Sequence, residues 1–196
     1  MTKPRIITQE VLDYALANLD YNRVTGILTW KVAVSPKIKV GTEAGYFMKD
    51  MGYRRVYLLG VAYLSHRIAW VFINGLNNQP EFIDHKDTVR DHNWIDNLRE
   101  ATKAQNGMNC RIHKNNTLGL KGVSYCKRSK KFRAYIYTSD GHKHLGWFID
   151  KIEASKVSEA ARRQYHGDFY NNSSTIDKEN ICATNTRRQT VRTNPS

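Results

Sequence analysis

Two small α+β domains joined near residue 110 are expected, on three observations. Residues 82–110 carry the patterns of a strand, a loop, a second strand and a short helix. Residues 118–170 carry three strand patterns followed by one amphipathic helix. The charge changes between these regions, because residues 1–110 hold 14 basic and 11 acidic side chains and residues 111–170 hold 13 and 5. The polar, basic stretch 111–117 therefore predicts a linker between a first domain, 1–110, and a second, 118–170.

The first domain is predicted to begin with a helix and several short strands. Thr8 is a candidate N-cap, and apolar residues recur at helical spacing from Val11 to Leu19. Glycines divide the next stretch into strand-like segments, and a second helical pattern runs from His66 to Asn74. The predicted strands cover residues 27–32, 45–48, 53–58 and 61–64.

The segment 82–110 has the clearest local signals. Residues 82–85 and 98–101 predict two short strands separated by a polar loop, 86–93. Thr102 and Gln105 fit a capping box, so a helix is expected to begin there and to run to about Cys110.

The second domain is predicted to have one apolar and one basic, aromatic sheet face. Its strands are expected at residues 122–127, 132–138 and 142–148. In the middle strand Phe132, Ala134 and Ile136 alternate with Arg133, Tyr135 and Tyr137.

The helix over 151–166 is expected to cover the apolar face and to end at Gly167. The side chains expected on its buried stripe are Ile152, Ala154, Val157, Ala160, Ala161 and Tyr165. Residues 171–196 are rich in Asn, Ser, Thr and Arg and predict a flexible tail.

Composition excludes several classes of protein. Hydrophobic residues make up 40% and aromatic residues 11% of the chain, which is enough for packed cores and excludes wholesale disorder. No run approaches the roughly 18 apolar residues of a membrane span, and the N-terminus lacks a signal-like apolar segment, so a cytoplasmic protein is expected. Three widely spaced cysteines argue against a disulfide framework and a Cys-rich zinc site. The net charge of +13 indicates an anionic partner such as nucleic acid, although a basic pI is common.

Asp84 and His85, with Asn97 and Asn106 downstream, form the most informative polar pattern. A neutral imidazole at a strand end beside a polar loop can face substrate and accept a proton from water near pH 7. Asp84 points to the other side of the strand, where the Asn106 amide oxygen could join it on one hard cation. Two protein oxygens with water and phosphate oxygens suit Mg²⁺, which stabilises charge on pentacoordinate phosphorus. Asn97 could hold the imidazole or the loop in place.

This pattern resembles the HNH nuclease family. The resemblance is carried by Ile83-Asp84-His85-Lys86-Asp87, by residues 97–102 and by Gln105-Asn106, with steps of 12 residues from His85 to Asn97 and 9 from Asn97 to Asn106. It implies a ββα-metal core over about 82–110, with His85 as general base, Asn97 as the orienting residue of the catalytic pair, and Asp84 and Asn106 as ligands. The implied cofactor is a divalent metal ion, Mg²⁺ with Mn²⁺ as the alternative.

Segments 25–30 and 66–70 also resemble phage HNH proteins, so the resemblance covers about residues 8–110 and implies a phage-encoded protein acting in a bacterial host. Three nearby side chains keep two interpretations each. His66 would touch a substrate phosphate or be a structural histidine, and Arg67 would contact DNA phosphate or be a surface charge. His92 would contact phosphate or metal, or be solvated in the loop.

The second domain resembles an AP2 DNA-binding domain. The resemblance is carried by Lys121-Gly122-Val123 and by residues 131–136, 145–148, 153–154 and 165–169. It implies that the sheet lies in the major groove of double-stranded DNA, where alternate side chains touch bases and phosphates. The contacts expected from alternation are Lys121, Tyr125, Lys127, Arg128, Lys131, Arg133, Tyr135, Tyr137 and His144. Ser124 and Cys126 stand where plant members carry base-reading arginines, so the target sequence does not carry over, and Trp147 is either core or contact.

The combined prediction is a site-specific DNA endonuclease of the homing type. A monomer with one HNH site would hydrolyse a phosphodiester in one strand and leave a nick. One alternative is a non-catalytic DNA-binding regulator on a nuclease scaffold, against which the intact Asp84, His85 and Asn106 argue. Another is an RNA-binding protein, which would explain the charge but not the metal-binding pattern.

Overall fold

The computed structural model describes residues 4–112 and 115–171, and it divides the chain between Cys110 and Arg111 into two compact units. Residues 113–114 of the predicted linker and 172–196 of the predicted tail lie outside the described residues. Both units combine helices with antiparallel sheets, as expected for an α+β protein.

The first unit contains three small antiparallel sheets and three helices, close to the predicted positions. Strand pairs β1–β2 and β6–β7 form two-stranded sheets, and β3, β4 and β5 form a three-stranded sheet in that order. The sequence analysis did not predict strand β1 and assigned its first residues to the end of the first helix. The elements are α1 (Gln9–Asn18), β1 (Leu19–Tyr21), β2 (Leu28–Trp30), β3 (Tyr46–Met48), β4 (Tyr53–Leu58), β5 (Val61–Leu64), α2 (Ser65–Asn74), β6 (Phe82–His85), β7 (Leu98–Ala101) and α3 (Lys103–Met108).

Helix α2 joins the two apolar cores of the first unit. Its Ile68 and Val71 belong to the larger core, to which α1 and the strands β1, β2, β4 and β5 contribute. Its Ala69 and Trp70 pack instead against Ile83 and other residues of the β6–β7 segment. The first turn of α2 is thereby held beside the end of β6.

The β6–β7–α3 segment has the predicted ββα form. Asp84 pairs with Arg99 and His85 with Leu98 across the two strands. A single 3₁₀ turn, Ile95–Asn97, precedes β7. The Thr102 hydroxyl accepts from the Gln105 amide at 3.2 Å and the Gln105 side chain accepts from the Thr102 amide at 2.8 Å, which confirms the capping box.

The second unit is a three-stranded antiparallel sheet covered by one long helix. Its elements are β8 (Val123–Cys126), β9 (Lys131–Thr138), β10 (Gly141–Phe148) and α4 (Lys151–His166), with β9 central in the sheet. Val123 and Ala134 pack against Ala154 of α4. The predicted alternation of β9 is confirmed, because Ala134 and Ile136 are buried and Tyr137 on the other face is 63% exposed.

The predicted buried stripe of α4 is partly wrong. Ile152 and Tyr165 are about half exposed, and the helix instead buries a set of mostly small or polar side chains. Those side chains are Ala154, Ser155, Ser158, Ala161, Arg162 and His166. Hydrogen bonds explain why polar side chains of α4 are buried. The Ser158 hydroxyl lies 3.2 Å from the Tyr135 carbonyl, and His166 Nε2 donates to the Tyr137 carbonyl at 2.9 Å. Small residues bring the helix close enough for these bonds to form.

A β-bulge in β10 shifts the alternation of its side chains. The register steps from His144–Tyr135 to Gly146–Ala134, so Leu145 is an extra residue in the strand. Because an inserted residue reverses the face of all those after it, Trp147 lies on the same face as Arg133. Trp147 is 47% exposed and is therefore not a core residue.

No helix within the described ranges has both the length and the apolar character that crossing a membrane requires.

The contact between Gly122 and α4 yields a stability prediction. Gly122 has φ of +75°, and a Cβ there would lie 2.0 Å from the Ser158 Oγ and 2.7 Å from the Tyr135 carbonyl oxygen. Gly122→Ala is therefore expected to destabilise the second unit by about 1–3 kcal/mol through strain and overpacking. Hydrogen exchange of the β8–β10 amides in denaturant measures this loss. Gly107→Ala is the control, since a Cβ at Gly107 meets no atom within 4 Å, and equal protection in both variants would contradict the prediction.

Candidate active site

The last two residues of β6 place a carboxylate and an imidazole on opposite sides of the strand. Asp84 and His85 are both 4% exposed. The sequence analysis expected the His85 ring to be open to substrate. This expectation is wrong for most of the ring, because α2 and β4 cover it. His85 contacts His66 of α2 in an edge-to-face arrangement with ring centroids 5.1 Å apart, and Tyr53 of β4 lies at 6.1 Å.

The hydrogen bond of His85 fixes which ring nitrogen is basic. His85 Nε2 lies 3.1 Å from the Asn93 Oδ1. An amide oxygen only accepts, so Nε2 carries the proton and Nδ1 keeps its lone pair. Burial lowers the pKa of His85, although the Asn93 bond and the nearby Asp87 and Asp84 charges oppose the shift. The imidazole is thus neutral at pH 7, as a general base must be.

His66 is a buried partner of His85 and not a surface ligand. It is 5% exposed, and its ring also lies 5.3 Å from the Tyr53 ring. Burial lowers the pKa of His66 well below the ordinary value, and His85 adds to the shift. The structure therefore favours the structural interpretation of His66, which keeps one wall of the His85 pocket uncharged.

The Asp84 carboxylate is held by two donors from β7 and the end of α3. Arg99 forms an ion pair with Oδ2 at 2.7 Å, and the Asn109 amide donates to both oxygens at 2.9 and 3.0 Å and to the His85 carbonyl at 2.7 Å. Oδ1 thus accepts one of these bonds and keeps a lone pair. A free lone pair on a carboxylate oxygen is a ligand of the kind that a hard divalent ion takes when it keeps most of its water. No group of three or more His, Cys, Asp or Glu side chains within 4–112 and 115–171 is placed to hold a metal.

The structure places Asn109, and not Asn106, against Asp84. Asn106 is exposed one turn earlier in α3, whereas Asn109 is 3% exposed. Within the described residues the Asp84 carboxylate bonds to Arg99 and Asn109 and not to Asn106, so the role of Asn106 as a metal ligand stays a prediction. Asn109 was missed because it follows the last helical residue, Met108, where the sequence pattern predicts only a helix end.

Asn97 organises the loop and does not contact the imidazole. Its Oδ1 accepts from the Asp87 amide at 3.0 Å, and its Nδ2 donates to the Asp87 carboxylate at 2.9 Å and the His92 carbonyl at 2.8 Å. His92 in turn pairs with the Asp87 carboxylate and stacks on Trp94. The residue that orients His85 directly is Asn93, which the sequence analysis missed because an Asn within a polar loop has no distinctive spacing.

Arg67 is buried and is not the surface charge that one interpretation predicted. It is 5% exposed, and its guanidinium donates to the Pro80 carbonyl at 2.9 Å and the Glu81 carbonyl at 3.4 Å. The predicted contact with DNA phosphate stays a prediction, against which this burial argues. Arg67 instead fixes the chain that leads into β6.

In the second unit, strand register divides the predicted DNA contacts between two faces. Arg133, Tyr135 and Tyr137 lie on the sheet face opposite α4, together with Lys131 and His144. The Arg133 guanidinium lies 5.2 Å from the Tyr135 ring centroid. The bulge adds Trp147 to this face, and His142 joins it opposite Tyr137. The set Lys131, Arg133, Tyr135, Tyr137, His142, His144 and Trp147 is called the outer face below.

Four predicted contacts do not belong to the outer face. Tyr125 pairs with Phe132 on the α4 side, with ring centroids 5.0 Å apart, which corrects its assignment. Lys121 precedes β8, and its carbonyl lies 3.3 Å from the Ser158 hydroxyl of α4. Lys127 and Arg128 are exposed in the turn between β8 and β9.

Comparison with known proteins supports this description of the first unit. Residues 63–108 match the family model described as HNH endonuclease. The chain is 34% identical over 104 residues to Protein 3.8 of Escherichia phage T7, and the aligned region covers 53% of this chain and 85% of that protein. A search of the solved structures found no significant match. The chain therefore belongs to the family of phage T7 Protein 3.8, and its residues 63–108 form an HNH endonuclease domain.

Proposed function

We propose that this chain is a metal-dependent DNA endonuclease in which His85 is the general base. The observation that carries the proposal is the neutral imidazole whose Nε2 proton is held by Asn93 and whose Nδ1 has no hydrogen bond to any described residue. A carboxylate, Asp84, lies next to it in the chain and is equally buried. A histidine with only a structural role would need neither a buried carboxylate beside it nor the residue spacing of the HNH pattern.

The proposed step is hydrolysis of one phosphodiester by water. His85 Nδ1 accepts a proton from the water as its oxygen bonds to phosphorus, and the bond from phosphorus to the 3′ oxygen breaks. The 3′ oxygen keeps the electron pair of that bond and takes a proton from solvent water. The imidazolium that forms is stabilised by the Asp87 and Asp84 charges, which already favour the protonated ring. Asn93 keeps the ring oriented through both protonation states, because Nε2 donates in each.

Asp84 and Asn106 would hold the divalent ion, Mg²⁺ or Mn²⁺, through side-chain oxygens. When bound, this ion supplies stabilisation of the negative charge on the phosphoryl group and the leaving oxygen. Arg99 and Asn109 hold the Asp84 carboxylate in position, because their side-chain nitrogens lie 2.7–3.0 Å from its oxygens. A carboxylate held in this way loses little conformational entropy when it binds an ion.

We further propose that the second unit is an AP2-like module that binds double-stranded DNA through its outer face. This face combines arginine and lysine with exposed aromatic side chains, which suits phosphate contacts and base-edge contacts. The apolar face is covered by α4, which leaves the outer face for a ligand. Through this module the nuclease would recognise its DNA target. The whole chain would be a homing-type, phage-encoded enzyme that acts in the host cytoplasm. A single HNH domain per monomer would produce a nick.

Replacement of the base gives a direct test. His85→Ala is expected to lower kcat for nicking of supercoiled plasmid with Mg²⁺ by about 10²–10⁴-fold, the usual contribution of a general base. Asn77→Ala is the control, because Asn77 is exposed in the turn after α2. Equal nicking by His85→Ala and the wild type would contradict the mechanism and favour a DNA-binding regulator.

The pH dependence tests the protonation state. The base must be unprotonated, and its pKa is lowered by burial. The value of kcat/KM should therefore decline as pH falls, with a midpoint below the ordinary histidine value of 6.5. A midpoint above pH 6.5 would show that His85 is not the titrating base.

Mutation of a basic residue on the outer face is expected to remove a phosphate contact. Arg133→Ala is expected to weaken duplex binding and to reduce the slope of log K against log salt by about 0.9, the value for one phosphate contact. Arg163→Ala removes the same charge from the exposed side of α4, where Arg163 pairs with Glu159. Identical slopes for these two variants would contradict binding through the outer face.

A further inference from the structure

The sheet β3–β4–β5 has one face that no core covers. Along β4, Val56 and Leu58 are fully buried in the main core of the first unit. The alternate residues Tyr53, Arg55 and Tyr57 point to the opposite face. Tyr46 of β3 joins them, because it pairs with Arg55 across the strands.

Large aromatic side chains on this second face are exposed. Tyr46 is 45% exposed and Tyr57 is 56% exposed, and their rings stack with centroids 6.2 Å apart and an interplanar angle of 19°. Stacking keeps the two rings in place without burying them. Exposed aromatics held in this way are typical of surfaces that contact a ligand.

Two arginines give this face positive charge. Arg54, on the core side of β4, is paired with Asp91 at 3.1 Å and with Glu43 at 3.2 Å. The Arg55 side chain forms no ion pair or hydrogen bond with any residue within the described ranges. Arg90 adds a second exposed cation, with its guanidinium 5.0 Å from the Tyr53 ring centroid.

This face is continuous with the candidate active site. Tyr53 belongs to both, since its ring lies 5.3 Å from that of His66 and 6.1 Å from that of His85. Residues along one face of a strand are about 7 Å apart. Arg55 and Tyr57 therefore extend the surface by about 14 Å away from Tyr53, a length of roughly four base steps of a duplex.

We propose that Tyr46, Tyr53, Arg55, Tyr57 and Arg90 bind the DNA backbone on one side of the scissile phosphate and lead it to His85. Arginine and the tyrosine hydroxyl are both donors to phosphate oxygens. This inference rests on the proposed nuclease function and adds a substrate surface within the first unit. The positive charge favours DNA over a second copy of this basic chain as the occupant.

The first experiment measures binding without cleavage. In the full chain carrying His85→Ala, the slope of log K against log salt is determined for a short DNA duplex. Arg55→Gln is expected to reduce the slope by about 0.9, and Arg55→Lys is expected to keep it, because lysine retains the charge. Arg23→Gln is the matched control, since Arg23 is exposed in the turn after β1 and lies off this sheet.

The second experiment measures nicking of supercoiled plasmid with Mg²⁺ by chains that retain His85. Arg55→Gln and Tyr57→Ala should each raise KM several-fold with little change in kcat, because neither side chain touches His85. A wild type that nicks DNA, with slopes and KM unchanged in both variants, would overturn the surface and leave the nuclease intact. A wild type that neither binds nor nicks DNA would overturn both proposals. Loss of a dimer on Tyr57→Ala, seen by sedimentation, with unchanged DNA binding would assign the face to self-association instead.

Discussion

The hydrogen bond between His85 Nε2 and Asn93 Oδ1 is the contact on which the site depends. It selects the tautomer and holds the ring where α2 and β4 enclose it. Asn93 is itself held from the N-terminal part of the chain, because the Tyr21 hydroxyl donates to its carbonyl at 2.7 Å. Gly26, with φ of +73°, lies so close that a Cβ there would be 2.3 Å from the Asn93 carbonyl carbon. The β1–β2 hairpin thus packs against the loop whose Asn93 holds the His85 ring.

This arrangement explains why the first unit extends far beyond its ββα segment. Two strands and a six-residue helix bury little apolar surface, and they would not bury a histidine and an aspartate unaided. Helix α2 supplies the missing core through Ala69 and Trp70 and supplies His66 as a neutral neighbour. The polar groups are satisfied by Arg99 and Asn109 at Asp84 and by Asn93 at His85. The lowered pKa of His85 is a consequence of this enclosure.

Local signals in the sequence predicted local features well. The capping box at Thr102 located α3, and the alternation in β9 located the outer face, because both depend on residues a few positions apart. Features that depend on contacts distant in the sequence were missed. Asn93 and Asn109 have no distinctive spacing, and their roles arise only when β6 lies beside them. Arg67 can be buried because its guanidinium donates to carbonyls that lie 13 and 14 residues downstream in the sequence. The bulge at Leu145 moved Trp147 to the outer face, since one extra residue reverses a period of two.

The arrangement of arginines shows that net charge is a poor guide to the local field of the first unit. Residues 1–110 carry an excess of only three positive charges, but the pairing is selective. Arg54 and Arg99 are neutralised by carboxylates, and Arg67 is held among carbonyls. Arg55 and Arg90 lie instead on the uncovered face that ends at Tyr53. A domain with a small net charge therefore presents two arginines on a face that reaches Tyr53, whose ring lies 6.1 Å from that of His85.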